Sequence, residues 1–124
     1  MPLAGMRIIL IDDEIDILDA TAQLLIRWGC EVQASVAIPE RPIEADLIVA
    51  DFDLGGGVTG LAAIDDLRRQ LGESIPAILI SGHAEDRIRK NADLANIYLL
   101  AKPVPPAILR SSLSAIRLHL RDEA

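Results

Sequence analysis

Aromatic side chains are nearly missing from this chain: one Trp, one Tyr and one Phe serve 124 residues. Its core must therefore be built from Leu, Ile, Val and Ala, which suits a parallel sheet covered by helices. The single cysteine, Cys30, excludes an internal disulfide and a thiolate zinc site. It fits a reducing, cytoplasmic setting. No apolar stretch approaches the ~20 residues that span a bilayer. Residues 1–5 lack the basic-then-apolar order of a signal peptide. Basic residues are outnumbered, 12 against 19 acidic, for a net charge of -7. That balance argues against a nucleic-acid binder and fits a divalent cation or a basic partner. Repeats, low-complexity tracts and linkers are also lacking, so one domain over 1–124 is expected, with its core at about 6–121.

What the chain does have is a series of short apolar runs that stop on polar residues. Leu47-Ile48-Val49-Ala50 ends on Asp51, and three glycines follow at 55–57. The run reads as a strand buried on both faces, so Asp51 sits where strand gives way to loop. A carboxylate there is costly unless something uses or neutralises it. The run at 6–11 likewise ends on Asp12-Asp13-Glu14, 76–81 on Ser81 before Gly82, and 97–101 on Lys102-Pro103. Residues 31–36 alternate, as expected of an edge or near-edge strand.

Helical patterns separate these runs. Ile15, Leu18, Ala22 and Leu25 share one face of a helix that Gly29 closes. Thr59 can cap a helix over 60–71, with Leu61, Ile64, Leu67 and Leu71 inward and Gly72 as the stop. Residues 85–92 read as a short polar helix. Pro105 and Pro106 open a last helix with Leu109, Leu113, Ile116 and Leu120 as its inner stripe. Pro39 and Pro42 leave the second crossover room for one helical turn at most, or none. Strand and helix thus alternate five times, the pattern of a parallel sheet with helices on both faces.

In such a sheet all strand C-termini share one edge, so Asp12, Asp13, Asp51, Ser81 and Lys102 can converge. Three carboxylates that close need a counter-charge. Hard oxygen donors suit Mg²⁺, Lys102 adds an ammonium, and Ser81 adds a hydroxyl. Positive charge and a donor around one acceptor carboxylate are what phosphoryl transfer requires.

The motifs Ile11-Asp12-Asp13-Glu14, Val49-Ala50-Asp51, Ile80-Ser81-Gly82 and Ala101-Lys102-Pro103 resemble the receiver domain of two-component response regulators. The resemblance implies the flavodoxin-like (βα)5 fold, a five-stranded sheet of order 2-1-3-4-5, here with a shortened second helix. It implies Asp51 as phosphoacceptor from a phosphohistidine. Asp13, Asp51 and the backbone carbonyl of Asp53 would bind Mg²⁺, with Asp12 acting through water. Ser81 and Lys102 would hold the phosphoryl group, and the Lys102–Pro103 bond would be cis. The implied partner is a histidine kinase or a histidine phosphotransfer domain, with no nucleic acid and no direct membrane contact; a homodimer stays open. Enzymatic activity would be limited to self-phosphorylation and autodephosphorylation. The output surface would be the face of the fourth helix, fifth strand and last helix.

Asp51-Phe52-Asp53-Leu54-Gly55-Gly56-Gly57 and Leu99-Leu100-Ala101-Lys102-Pro103-Val104 are similar, more narrowly, to receivers at the C-terminal end of hybrid sensor histidine kinases. A kinase-attached or stand-alone receiver is therefore expected, in the cytoplasm or in the cytoplasmic part of a membrane-bound sensor. Three positions tune the implied chemistry. Leu99 stands where the family carries an aromatic switch, with Tyr98 one place earlier and on the opposite face. Asp53 and His83 lie two residues after the acceptor and after Ser81, where the family sets phosphoryl lifetime. Two other readings compete. Asp51-Phe52-Asp53 also looks like the nucleophile-and-acid pair of haloacid-dehalogenase phosphohydrolases, which leaves Asp12 and Asp13 unexplained. The other is a non-phosphorylated interaction module on the same fold. The glycine run lacks the Lys-Ser/Thr of a phosphate cradle and reads as a flexible loop. Trp28 reads as helix surface or partly buried packing, Cys30 as a packed thiol, and His119 as a solvated helix residue.

Overall fold

A computed structural model describes residues 3–82 and 96–123, with side chains to Leu120. The elements are β1 (Arg7–Ile11), α1 (Ile15–Arg27), β2 (Glu31–Ser35), β3 (Leu47–Asp51), α2 (Gly60–Leu71), β4 (Ala77–Ser81), β5 (Ile97–Ala101) and α3 (Pro106–Glu123). The strands form one parallel sheet in the order β2-β1-β3-β4-β5. This is the flavodoxin-like order that the motifs implied, and β2 is an edge strand as its alternation predicted. The expected polar helix at 85–92 and His83 lie outside the described residues.

The aliphatic runs behave as doubly covered strands. All five residues of β3 are buried, as are the last four of β1. One face packs Leu10, Val49 and Ile78 against Leu18 and Leu25 of α1 and Leu109, Leu113 and Ile116 of α3. The other packs Ile9, Ile48 and Leu79 against Ala63, Ile64 and Leu67 of α2. Each fully buried Leu or Ile contributes about 1.5–3 kcal/mol, so the sheet needs no aromatic filler.

Helix ends follow the expected chemistry. Thr59 Oγ1 accepts the Ala62 N–H at 3.1 Å, and the Gly72 N–H closes α2 on the Arg68 carbonyl. The Gly29 N–H closes α1 on the Ile26 carbonyl. The carbonyl of Pro105 receives the first N–H groups of α3, from Ile108 and Leu109. Arg68 reaches from α2 to the carbonyls of Ile75 (2.9 Å) and Asn96 (3.1 Å), tying it to the entries of β4 and β5.

Several expectations are corrected. Ile15 is 61% exposed rather than on the inner face, because it starts α1 at the rim of the sheet. Leu3 is buried, so the packed unit begins before Met6. Trp28 is buried too, with the Arg110 guanidinium 5.5 Å over its ring, so it is no helix-surface residue. No helix, even shortened, forms in the second crossover, residues 36–46. Side chains hold it instead. The Gln33 amide donates to the Arg41 carbonyl (3.1 Å) and accepts the Ile43 N–H (2.9 Å). Asp46 accepts from the Arg7 backbone (2.8 Å) and guanidinium (3.1 Å).

Candidate functional site

Strand register brings the polar residues together. Ile11 pairs with Ala50, so Asp12 comes level with Asp51. Asp51 pairs with Ile80, and Ser81 with Ala101, which sets Lys102 one step beyond. Ladder bonds run one residue past the strands: the Asp12 N–H to the Ser35 carbonyl, Phe52 to Ile80, and Lys102 to Ser81. Asp12, Asp51, Ser81 and Lys102 are therefore held by sheet hydrogen bonds at or beside their own backbone.

Asp51 (5% exposed), Asp12 (8%) and Ser81 (2%) are the buried polar or charged residues among those described. Lys102 Nζ donates to Asp51 Oδ2 at 2.8 Å. The Asp53 N–H makes a long contact of 3.4 Å to Asp51 Oδ1. Asp12 Oδ1 accepts the Glu14 N–H at 3.0 Å, which turns the chain into α1. Carboxylate oxygens of Asp12, Asp13 and Asp51 lie within 4.8 Å of one another. This set fits a hard divalent cation, since three carboxylates this close repel unless neutralised.

The electrostatics agree. Burial pushes the Asp12 carboxyl above its ordinary range, and the charges of Asp51 and Asp13 push the same way. Burial alone would lower the Lys102 ammonium. Its hydrogen bond to Asp51 and the charges of Asp51, Asp12 and Glu14 more than offset this and raise it. Lys102 therefore stays charged at neutral pH.

Asp53 stands apart. Its carboxylate turns back to accept the Gly55 N–H at 3.3 Å and is not in the acidic cluster. The glycine run expected as a flexible loop is a tight reverse turn. The Val58 N–H bonds the Gly55 carbonyl (3.0 Å), and Leu54 bonds Val58 (3.1 Å). Gly56 and Gly57 take φ of +59° and +81°, the two central positions of a type I′ turn. Asp53 and Thr59 bridge at its base. Sequence reading missed this arch because its glycines carry no side-chain pattern; a glycine pair between bridged residues was the available signal.

The Lys102–Pro103 peptide is cis, as the resemblance implied. Leu99 packs on the α2 side of the sheet, whereas Tyr98 is 40% exposed and lines a groove with Ser112, Ile116 and His119 of α3. Asp12, Asp51 and Lys102 border a cleft of about 470 Å³ walled by Ile17, Leu18, Leu24, Val104 and Leu109.

The model of the response regulator receiver domain matches residues 8–114. The chain belongs to the receiver domain family. Comparison with curated protein sequences gives no match. The receiver is similar in fold to a response regulator receiver domain of Clostridium thermocellum, with a TM-score of 0.81 at 20% identity over 96% of this chain and 99% of that one. It is similar also to a CheY-like receiver of Methanospirillum hungatei, at 0.81 and 22% over 98% and 100%. Chemotaxis protein CheY4 of Vibrio cholerae gives 0.78 and 20% over 91% and 99%. Family membership supports two-component signalling and does not favour a phosphohydrolase. Among the described residues, no helix of the receiver is long and apolar enough to cross a membrane.

Proposed function

We propose that this receiver is the phosphoacceptor of a two-component phosphorelay, taking a phosphoryl group from a phosphohistidine onto Asp51. The pairing of Lys102 Nζ with Asp51 Oδ2 beside Asp12 and Asp13 carries the reading. A carboxylate oxygen of Asp51 attacks phosphorus, the phosphorus–nitrogen bond breaks, and the nitrogen keeps the electron pair. The product is an acyl phosphate. Asp13, Asp51 and the Asp53 carbonyl would hold Mg²⁺, with Asp12 acting through water. When bound, the ion offsets negative charge on the phosphoryl oxygens. Lys102 shifts its ammonium from Asp51 toward a phosphoryl oxygen, and the Ser81 hydroxyl donates to another.

The modification adds about two negative charges. Ser81 and Lys102 follow them, and the face of β5 and α3 with the segment after Gly82 reads out the change as a population shift. The domain works beside a histidine kinase or phosphotransfer domain in the cytoplasm, stand-alone or as the cytoplasmic part of a hybrid sensor kinase. Its own activity is self-phosphorylation and autodephosphorylation.

Intact mass after incubation with Mg²⁺ and acetyl phosphate tests this. One added phosphoryl group, lost in Asp51→Asn, is expected. Multiple turnover of a generic phosphoester without dependence on Asp13 would overturn the reading. An unchanged mass under every donor would favour an interaction module.

A further inference from the structure

Two glycines of the β3–α2 arch lie against the carboxylate residues through having no side chain. A methyl group on Gly60 would overlap the main-chain carbonyl oxygen of Asp51, at 3.0 Å from its carbonyl carbon and 2.7 Å from Leu79 Cδ1. Gly60 is buried and donates its N–H to the Phe52 carbonyl at 2.7 Å. The first turn of α2 thus rests on the backbone of the acceptor strand. At the start of the arch, a methyl on Gly55 would stand 3.1 Å from Asp13 Oδ2. The next glycine, Gly56, has a similar positive φ, +59° against +76°, but faces open space.

We propose that Gly55 and Gly60 are positioning residues of the cation site. Gly55 leaves the Asp13 carboxylate room to lie beside Asp51. Gly60 seats α2 on the Asp51–Phe52 backbone, which leads directly to the Asp53 carbonyl that would be a ligand. The inference rests on the reading of Asp12, Asp13 and Asp51 as a Mg²⁺ site. Groups that orient metal ligands typically change affinity by roughly 10–100-fold when altered. Gly55 and Gly56 separate this role from plain backbone strain, because both hold a positive φ that alanine rarely adopts and only one meets a ligand.

The experiment titrates Mg²⁺ by calorimetry into wild type, Gly55→Ala and Gly56→Ala. It also measures acetyl phosphate labelling of Asp51 against Mg²⁺ concentration. Gly55→Ala is expected to weaken Mg²⁺ binding roughly tenfold and to raise the half-saturating Mg²⁺ alike, while labelling at saturation stays near wild type. Gly56→Ala is expected to bind Mg²⁺ as wild type does. Equal affinities in the two variants, whether lowered or not, would overturn the proposal. Wild type that fails to bind Mg²⁺ would overturn the cation-site reading and the proposal together. Gly60→Ala, compared with Gly60→Ala/Leu79→Ala, extends the test. Weak Mg²⁺ binding that persists after the Leu79 clash is relieved supports displacement of the Asp51 backbone. Recovery of wild-type affinity in the double variant would assign the effect to core packing and overturn the role of Gly60.

Discussion

Lys102 and Asp51 stand 51 positions apart in the chain and 2.8 Å apart in the fold, ammonium on carboxylate. The carboxylate is 5% exposed and the lysine side chain 33%. Lys102 is thus the counter-charge that offsets the burial of the Asp51 side chain.

Lys102→Ala should strand that carboxylate. Breaking a fully buried pair costs about 3–5 kcal/mol; with the lysine a third exposed, about 1–3 kcal/mol is expected for the metal-free domain. Urea unfolding in EDTA measures it. Adding Mg²⁺ should stabilise the variant more than wild type, because the site has lost a competing cation. Equal stability of the two proteins in EDTA would contradict this.

Asp12→Asn should stabilise the metal-free domain by about 0.5–2 kcal/mol, the usual gain from relieving unfavourable charge. The amide keeps an acceptor for the Glu14 N–H, which Asp12 Oδ1 binds at 3.0 Å. Mg²⁺ affinity should fall at the same time, so stability and binding move in opposite directions. Thermal melts with and without Mg²⁺ decide it.

Two acids should give opposite pH slopes. The Asp12 carboxyl is raised in the fold, chiefly by burial. Between its ordinary 3.8 and that raised value the folded state binds more protons, so its contribution to stability grows as pH falls and is lost as pH rises. At Asp46 burial is outweighed by hydrogen bonds and charge from Arg7, and the carboxyl is lowered. Its contribution is present above 3.8 and lost as pH falls through the lowered value. Unfolding curves of Asp12→Asn and Asp46→Asn against wild type in acid, without metal, should separate the two slopes.

Gln33→Ala should loosen the second crossover. It removes both amide bonds, to Arg41 and Ile43, at about 1 kcal/mol. Amide exchange at residues 36–46 should quicken while α1 and β3 keep their protection. Uniform loss of protection would mean that the crossover is no separate unit.

A phosphoryl mimic should move Ser81 more than Leu99. Leu99 packs on the α2 side of the sheet and has no ring to swing. Backbone shift changes of equal size at the two residues would count against this.

How much of this was readable in advance differs by element. Apolar runs of five residues and helix caps such as Thr59 and Pro106 are local signals, and among the described residues they located the strands and helices to within a residue or so. Ile15 was misread because helical periodicity does not say where a helix leaves the sheet. For Trp28 the packing reading holds and the surface reading does not, because a residue ending one helix is covered by another, α3, far away in the chain. The acids, the serine and the lysine were legible as strand-end residues, since parallel strands put their C-termini on one edge.

The amino-acid sequence by itself determined an aliphatic, doubly covered parallel sheet and the five polar residues at its edge, because strand period, capping and charge are written locally. Only the tertiary structure decided that Lys102 lies on Asp51, that Asp53 turns away from the acids, and that side chains replace a helix between β2 and β3. It alone set the glycine arch against Asp13 and the Asp51 backbone. Those outcomes depend on strand register and close packing between distant segments, where a shift of a few tenths of an ångström separates contact from overlap.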